Sequence, residues 1–314
     1  MQFPAVKPLH RRRTALATLF VLCAAGALAV VAALLITHSA PAEPVLHLTE
    51  EVDDYVSDFP RHGGYRTPTA GQRAALAGGV ADVLDDKLDS ARKRLAAVDY
   101  TVRTVRLGGT DRTVAEITEK HRTGRGWGRV YIDLGQRVRW SVQVPHPRSD
   151  LHTELIGAGL FTRTPGGIMV LAGAPRDAGK GISADMAHRQ DSVFDAICTE
   201  LVARRLPGIQ VHGFADDSSP DHDIVLSPGP DEAATGPARR AAKKLSAAGF
   251  AVCRAWSQDC GRLEGTTNVQ AQTAADHGVP FLHDENSREL RDSATSRERL
   301  IDALGEVVGS WGRG

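Results

Sequence analysis

From residue 150 onward the chain changes hydrophobic period every ten to fifteen residues, and that rhythm constrains its fold more than any other feature. Helix-patterned DLHTELIGAGLF precedes strand-patterned GIMVLAGA, and helix-patterned RQDSVFDAICTELVARRL precedes GIQVHGF. DIVLSPG, the helical DEAATGPARRAAKKLSAAG, FAVCRAW, the helical TTNVQAQTAADHG and VPFLHDE continue the series. A last helix is expected from about Thr295 to Val308. Strands alternating with helices imply an α/β chain with a mostly parallel sheet, because a crossover helix is the short way to join parallel neighbours.

Upstream, YTVRTVRL, RTVAEITE, GRVYIDL and RVRWSVQV alternate at a period of two, with GGTD and GQ as turn chemistry between them. They are expected to form an antiparallel meander supplying the first strands. AGQRAALAGGVADVLDDKLDSARKRLAAV, residues 70–98, has helical spacing and a basic end, and is expected to be one helix. The whole predicts a three-layer α/β/α sandwich around a mixed, mostly parallel sheet over residues 70–312. Residues 38–69, rich in Pro, Gly and acids, read as a linker.

The amino end carries a targeting signal. Residues 14–37, TALATLFVLCAAGALAVVAALLIT, contain no charged side chain. At about 1.5 Å per residue a helix of that length exceeds a hydrocarbon core of about 30 Å. Arg11, Arg12 and Arg13 precede it, so residues 1–13 are expected in the cytoplasm and the main domain outside. The segment reads as an uncleaved single-span anchor. Small residues at Ser39–Ala42 leave secretion after cleavage as the alternative.

The formal charge of zero hides an asymmetry. Removing Lys7 and the three arginines from 38 basic residues leaves 34 against 38 acidic ones, a net of −4 for the remainder. An acidic body gives no electrostatic reason to expect nucleic acid. In VCRAWSQDC, Cys253 and Cys260 are close enough for a disulfide in an oxidising compartment, and Cys198 reads as a buried apolar residue. No CxxC pair is present, so a cysteine-based metal site is not expected.

Ligands of open α/β sheets collect beyond the carboxyl ends of strands. That rule selects the ends of RWSVQVPH, IQVHGF and PFLHDE, where His146, His212, and His283 with Asp284 and Glu285 stand. A catalytic zinc takes three N/O ligands and keeps one position open. His146, Asp150 and His212 are the expected set, with Glu154 as alternate for the carboxylate. The competing reading makes Ser149 or Asp150 a helix cap and Glu154 a partner of the helix dipole. His152 is expected at the surface. Glu285 is the candidate general base.

Taken together, PHPRSD, QVHGF and FLHDE resemble the motifs of the zinc carboxypeptidase superfamily in its broad sense. That group includes the poly-γ-glutamate hydrolases, N-formylglutamate amidohydrolases and succinylglutamate desuccinylases. The resemblance covers roughly residues 138–292 and implies one zinc and hydrolysis of an amide or peptide bond. It departs from the family's His-x-x-Glu, since the acid here is Asp at the fourth position after His146. The family holds a substrate carboxylate with Arg and Asn, which points to SADMAHRQDSVFDA and to His188 and Arg189 as substrate-binding candidates. Outside the membrane, the implied substrates are peptide-like, γ-glutamyl or peptidoglycan-type. The rival expectation is a membrane-tethered, non-catalytic binding or envelope module with the same fold.

Overall fold

The computed structural model of the chain describes residues 1–2, 44–60, 63–121, 123–230 and 235–311. The expected membrane segment, 14–37, lies outside the described residues, as does nearly all of the basic tail. Among the described residues no helix is long and apolar enough to cross a membrane.

Ten strands form one mixed sheet: β1 Val45–Leu46, β2 Tyr100–Leu107, β3 Thr113–Glu119, β4 Arg129–Asp133, β5 Trp140–Val144, β6 Gly167–Leu171, β7 Gly208–Gly213, β8 Ile224–Ser227, β9 Val252–Arg254 and β10 Phe281–Asn286. Their spatial order is β1-β2-β3-β4-β6-β5-β7-β10-β8-β9. The central block β6-β5-β7-β10 is parallel, and β8 and β4 flank it antiparallel.

Helices cover both faces, as the sandwich requires. The first face carries α1 Leu48–Ser57, then later α4 Thr153–Arg163, α6 Thr235–Ala247 and α9 Ala294–Val308. The second carries α2 Ala70–Leu84, α3 Leu88–Ala96, α5 Val193–Ala203 and α7 Val269–Asp276. A short α8, Arg288–Asp292, follows β10. Alternation in the strands supplies the two cores. Val142, Val144, Ile209 and Val211 face the first layer, whereas Ile168, Val170, Val130 and Ile132 face the second.

Three expectations are corrected. Residues 44–60 are not linker: Leu48, Val52 and Val56 lie at helical spacing on the buried side of α1, and Arg129 on β4 reaches Glu51 at 2.5 Å. The helix over 70–98 is two helices, because Asp86 adopts a left-handed φ of 59° between them. Gly79 then lets Leu95 of α3 pack directly onto α2. The expected last helix is α9, capped by the hydroxyl of Ser293, an extended residue that separates it from α8. The meander holds for β2-β3-β4 only. Every residue of β5 is buried, so it enters the sheet centre between β6 and β7 rather than following β4 as a hairpin.

The interior position of β5 creates the crevice. From β5 the chain passes to β6 on one side, then returns past β5 to β7 on the other. Diverging connections leave a gap above the carboxyl ends of β5 and β7, where an open α/β sheet takes ligands.

Candidate metal centre

β5 ends at Val144, and the turn that follows brings His146 and Asp150 over the crevice. The backbone closes through Asp150 N to the His146 carbonyl at 2.9 Å. Asp150 is not a cap: α4 begins after His152, whose φ is 71° and whose side chain makes no capping bond. The Asp150 carboxylate turns inward instead and is 1% exposed. Gly157 allows this, because the α4 backbone comes so close to β5 that a Cβ there would meet Val144 Cγ2 at 2.6 Å.

His146, Asp150 and His212 come together, all buried. Asp150 Oδ2 lies 3.3 Å from His146 Nδ1 and 3.5 Å from His212 Nδ1. Ligands about 2.0–2.1 Å from a tetrahedral zinc stand about 3.3 Å from each other. The donor set therefore fits a cation in both spacing and chemistry. His146 Nε2 is 2.8 Å from Asp185 Oδ1. An ionised carboxylate only accepts, so that nitrogen donates and Nδ1 faces Asp150. His146 Nδ1 has no hydrogen-bond partner among the described residues. Carboxylate–histidine pairs of this kind orient metal ligands.

Electrostatics agree with the geometry. Burial opposes ionisation of Asp150, but His146, His212 and Arg176 outweigh it and hold its carboxyl well below the usual range. Burial lowers the pKa of His146, and Asp150 and Asp185 overcome it, so the ring is held above its usual value. Burial pushes His212 down to about 4.

Glu285 stands beside His212 in register on β10 and belongs to a second, overlapping group with His212 and His283. Burial first, then the Asp150 charge, pushes its carboxyl well above the carboxylate range. Its Oε2 is buried with no hydrogen-bond partner among the described residues. The His283 ring stacks on His212 with centroids 4.4 Å apart.

Other candidates lie elsewhere. Glu154 is buried in the first turn of α4 among Asp53 and Arg291 and is gathered into neither group. His188 adjoins the centre, with Nδ1 3.1 Å from Asp185 Oδ1. Arg189 is held by Asp191 through two bonds of 2.8 and 2.6 Å. His152 is half-buried beside Asp292.

Sequence reasoning missed two residues, Arg176 and Asp185. Arg176, beyond the end of β6, donates to Asp150 Oδ1, and the strand-end rule applied to a fourth strand would have led to it. Asp185 had no periodic signal, since it lies in the irregular connection between β6 and α5. Arg291 is a buried staple: it donates to the carbonyls of Leu151 at 2.5 Å, Phe214 at 2.9 Å and Asn286 at 3.1 Å. Those carbonyls follow Asp150, His212 and Glu285 by one or two residues, so one guanidinium ties the three segments together.

No protein-family model matches the chain, and no curated protein matches it. Among solved structures, the succinylglutamate desuccinylase from Chromobacterium violaceum is similar at 16% identity and a TM-score of 0.43, over 69% of this chain and 75% of that one. A bacteriophage poly-γ-glutamate hydrolase is similar at 13% identity and a TM-score of 0.37, over 55% of this chain and 83% of that one. The tripeptide-bound cell shape determinant Csd4 from Helicobacter pylori is similar at 13% identity and a TM-score of 0.38, over 55% of this chain and 51% of that one.

Proposed function

We propose that the chain is a metal-dependent hydrolase of an amide or peptide bond, with His146, Asp150 and His212 holding one zinc. The observation that carries this reading is the convergence of two imidazole Nδ1 atoms on one buried carboxylate oxygen, at 3.3 and 3.5 Å, beside a buried glutamate. A bound divalent cation supplies Lewis acidity, polarising a carbonyl and acidifying a water.

The protein's own groups do the rest. Asp185 holds the His146 ring, and Arg176 keeps Asp150 compensated on its outer oxygen. Burial and the Asp150 charge hold the Glu285 carboxyl well above the usual range, and positive charge offsetting Asp150 would lower it toward that of a proton acceptor. It takes a proton from the attacking water and delivers it to the leaving nitrogen. His188 and Arg176, both partly exposed at the rim, are the candidates to meet an acidic substrate group. Arg189 is a weaker one, since Asp191 already occupies its planar fork.

The proposed location is outside the cytoplasm, anchored through residues 14–37. The Cys253–Cys260 disulfide supports an oxidising compartment. Peptidoglycan stem peptides, poly-γ-glutamate and short peptides are the substrate classes to test. Glu285→Gln is expected to abolish release of new amino groups from whichever of these is cleaved, while zinc content stays at the wild-type level. Unchanged turnover would remove Glu285 from the reaction. A zinc-binding protein that turns over none of them would instead be the non-catalytic module.

A further inference from the structure

On the sheet face covered by α5 and α7, buried amides run across neighbouring strands below the metal-centre residues. Gln210 on β7 lies in register with Gln143 on β5 and His283 on β10. The hydrogen-bond directions in this row can be read from two backbone anchors. Asn268 caps α7, its Oδ1 accepting from the Gln270 and Ala271 amides at 3.0 Å each. Its remaining amide group, Nδ2, therefore turns to Gln210. Gln270 donates its Nε2 to the Met186 carbonyl at 3.0 Å and to Asp195 at 2.8 Å, so its Oε1 turns to Gln210 at 3.1 Å.

A donor on one side and an acceptor on the other admit one orientation of Gln210. Oε1 accepts from Asn268, and Nε2 donates to Gln270 and, at 3.0 Å, to Gln143. The same Oε1 lies 2.7 Å from His212 Nε2. An amide oxygen can only accept, so this ring nitrogen carries the proton and the lone pair stands on Nδ1, the atom facing Asp150.

We infer that Gln210 is a positioning residue that fixes the tautomer of His212, and that its orientation is set by the first turn of α7 through Asn268 and Gln270. The purpose of this device rests on the metal-centre reading; the device itself does not. It carries a stoichiometric consequence. An imidazole with one nitrogen protonated offers one lone pair, so His212 serves one cation and cannot bridge two. The overlapping His212, His283 and Glu285 group is then an alternative to the first site rather than half of a binuclear centre.

The test is imidazole nitrogen NMR on the full chain, metal-free and 15N-labelled at histidine, with the His212 signals assigned by their loss in His212→Asn. Wild type is expected to show Nε2 protonated and Nδ1 bare. Gln210→Leu removes the acceptor and is expected to give a mixture of tautomers and a zinc affinity lower by about 10–100-fold. Gln210→Glu keeps an acceptor and is expected to restore the wild-type tautomer. A wild type protonated at Nδ1 would overturn the inference whether or not the variants fold, and so would a single Nε2-protonated form in Gln210→Leu. A wild type with the expected tautomer that takes up no zinc supports this inference and overturns the functional reading instead.

Discussion

Asp150 meets the Arg176 guanidinium, the Gly213 amide at 3.3 Å and the His146 ring, so a fully buried carboxylate stays ionised. Glu154, four residues on, has the opposite fate. Burial outweighs the local backbone amides and Arg291, and its carboxyl is pushed up to about 7. Its folded pKa is thus raised above the ordinary value, so the folded chain binds the extra proton. The associated stability is complete below the ordinary carboxylate range and is lost as pH rises through about 7. The loss is of the order of 3 kcal/mol. Asp284, also pushed up to about 7 by burial, acts in the same direction. Glu154→Gln is expected to match wild type in urea denaturation at acid pH and to exceed it at mildly alkaline pH. A pH-independent difference between the two would contradict this assignment.

Among the elements, α4 decides whether the centre forms, because the β5–α4 turn carries two of the three proposed ligands. Gly157 faces Val144 and Met169 on the sheet, and Gly159 on the same helix faces Ile301 of α9. Alanine at 157 gains about 1 kcal/mol of helix propensity. Overpacking against a stiff β-branched side chain costs about 1–3 kcal/mol. The second effect wins, so Gly157→Ala is expected to lower the melting temperature and weaken zinc binding together. A stabilised variant with full metal affinity would show that α4 is not held this closely.

The parallel block and its helices were legible from alternating periodicity, and so were the three strand ends that supply His146, His212 and Glu285. The place of β5 was not. Its buried pattern says that it is central, but strand order is set by which faces cover one another, and a local period carries none of that. Asp185, Arg176 and Gln210 were missed for a related reason. Each acts on a residue at least two strand-lengths or a loop away, or through an amide whose direction only the folded network defines.

At the scale of the molecule, the sheet, the two helical layers and the Arg291 staple serve one arrangement: the segments carrying the proposed ligands, far apart in the chain, meet above β5 and β7. The ring centroids of His146 and His212 are 5.1 Å apart, near enough to share an ion. The Cys253–Cys260 bond ties β9 to the loop beside α7, on the far side of β10 from that centre. Reduction is therefore expected to lower stability while leaving metal stoichiometry unchanged, which calorimetry with zinc titration would check.

The most direct test of the metal centre is an anomalous difference map at the zinc edge, from crystals of the protein equilibrated with zinc. One peak per chain is expected, about 2 Å from His146 Nδ1, an Asp150 oxygen and His212 Nδ1. No peak at saturating zinc, or a peak held by His283 and Glu285 with His146 left out, would contradict it.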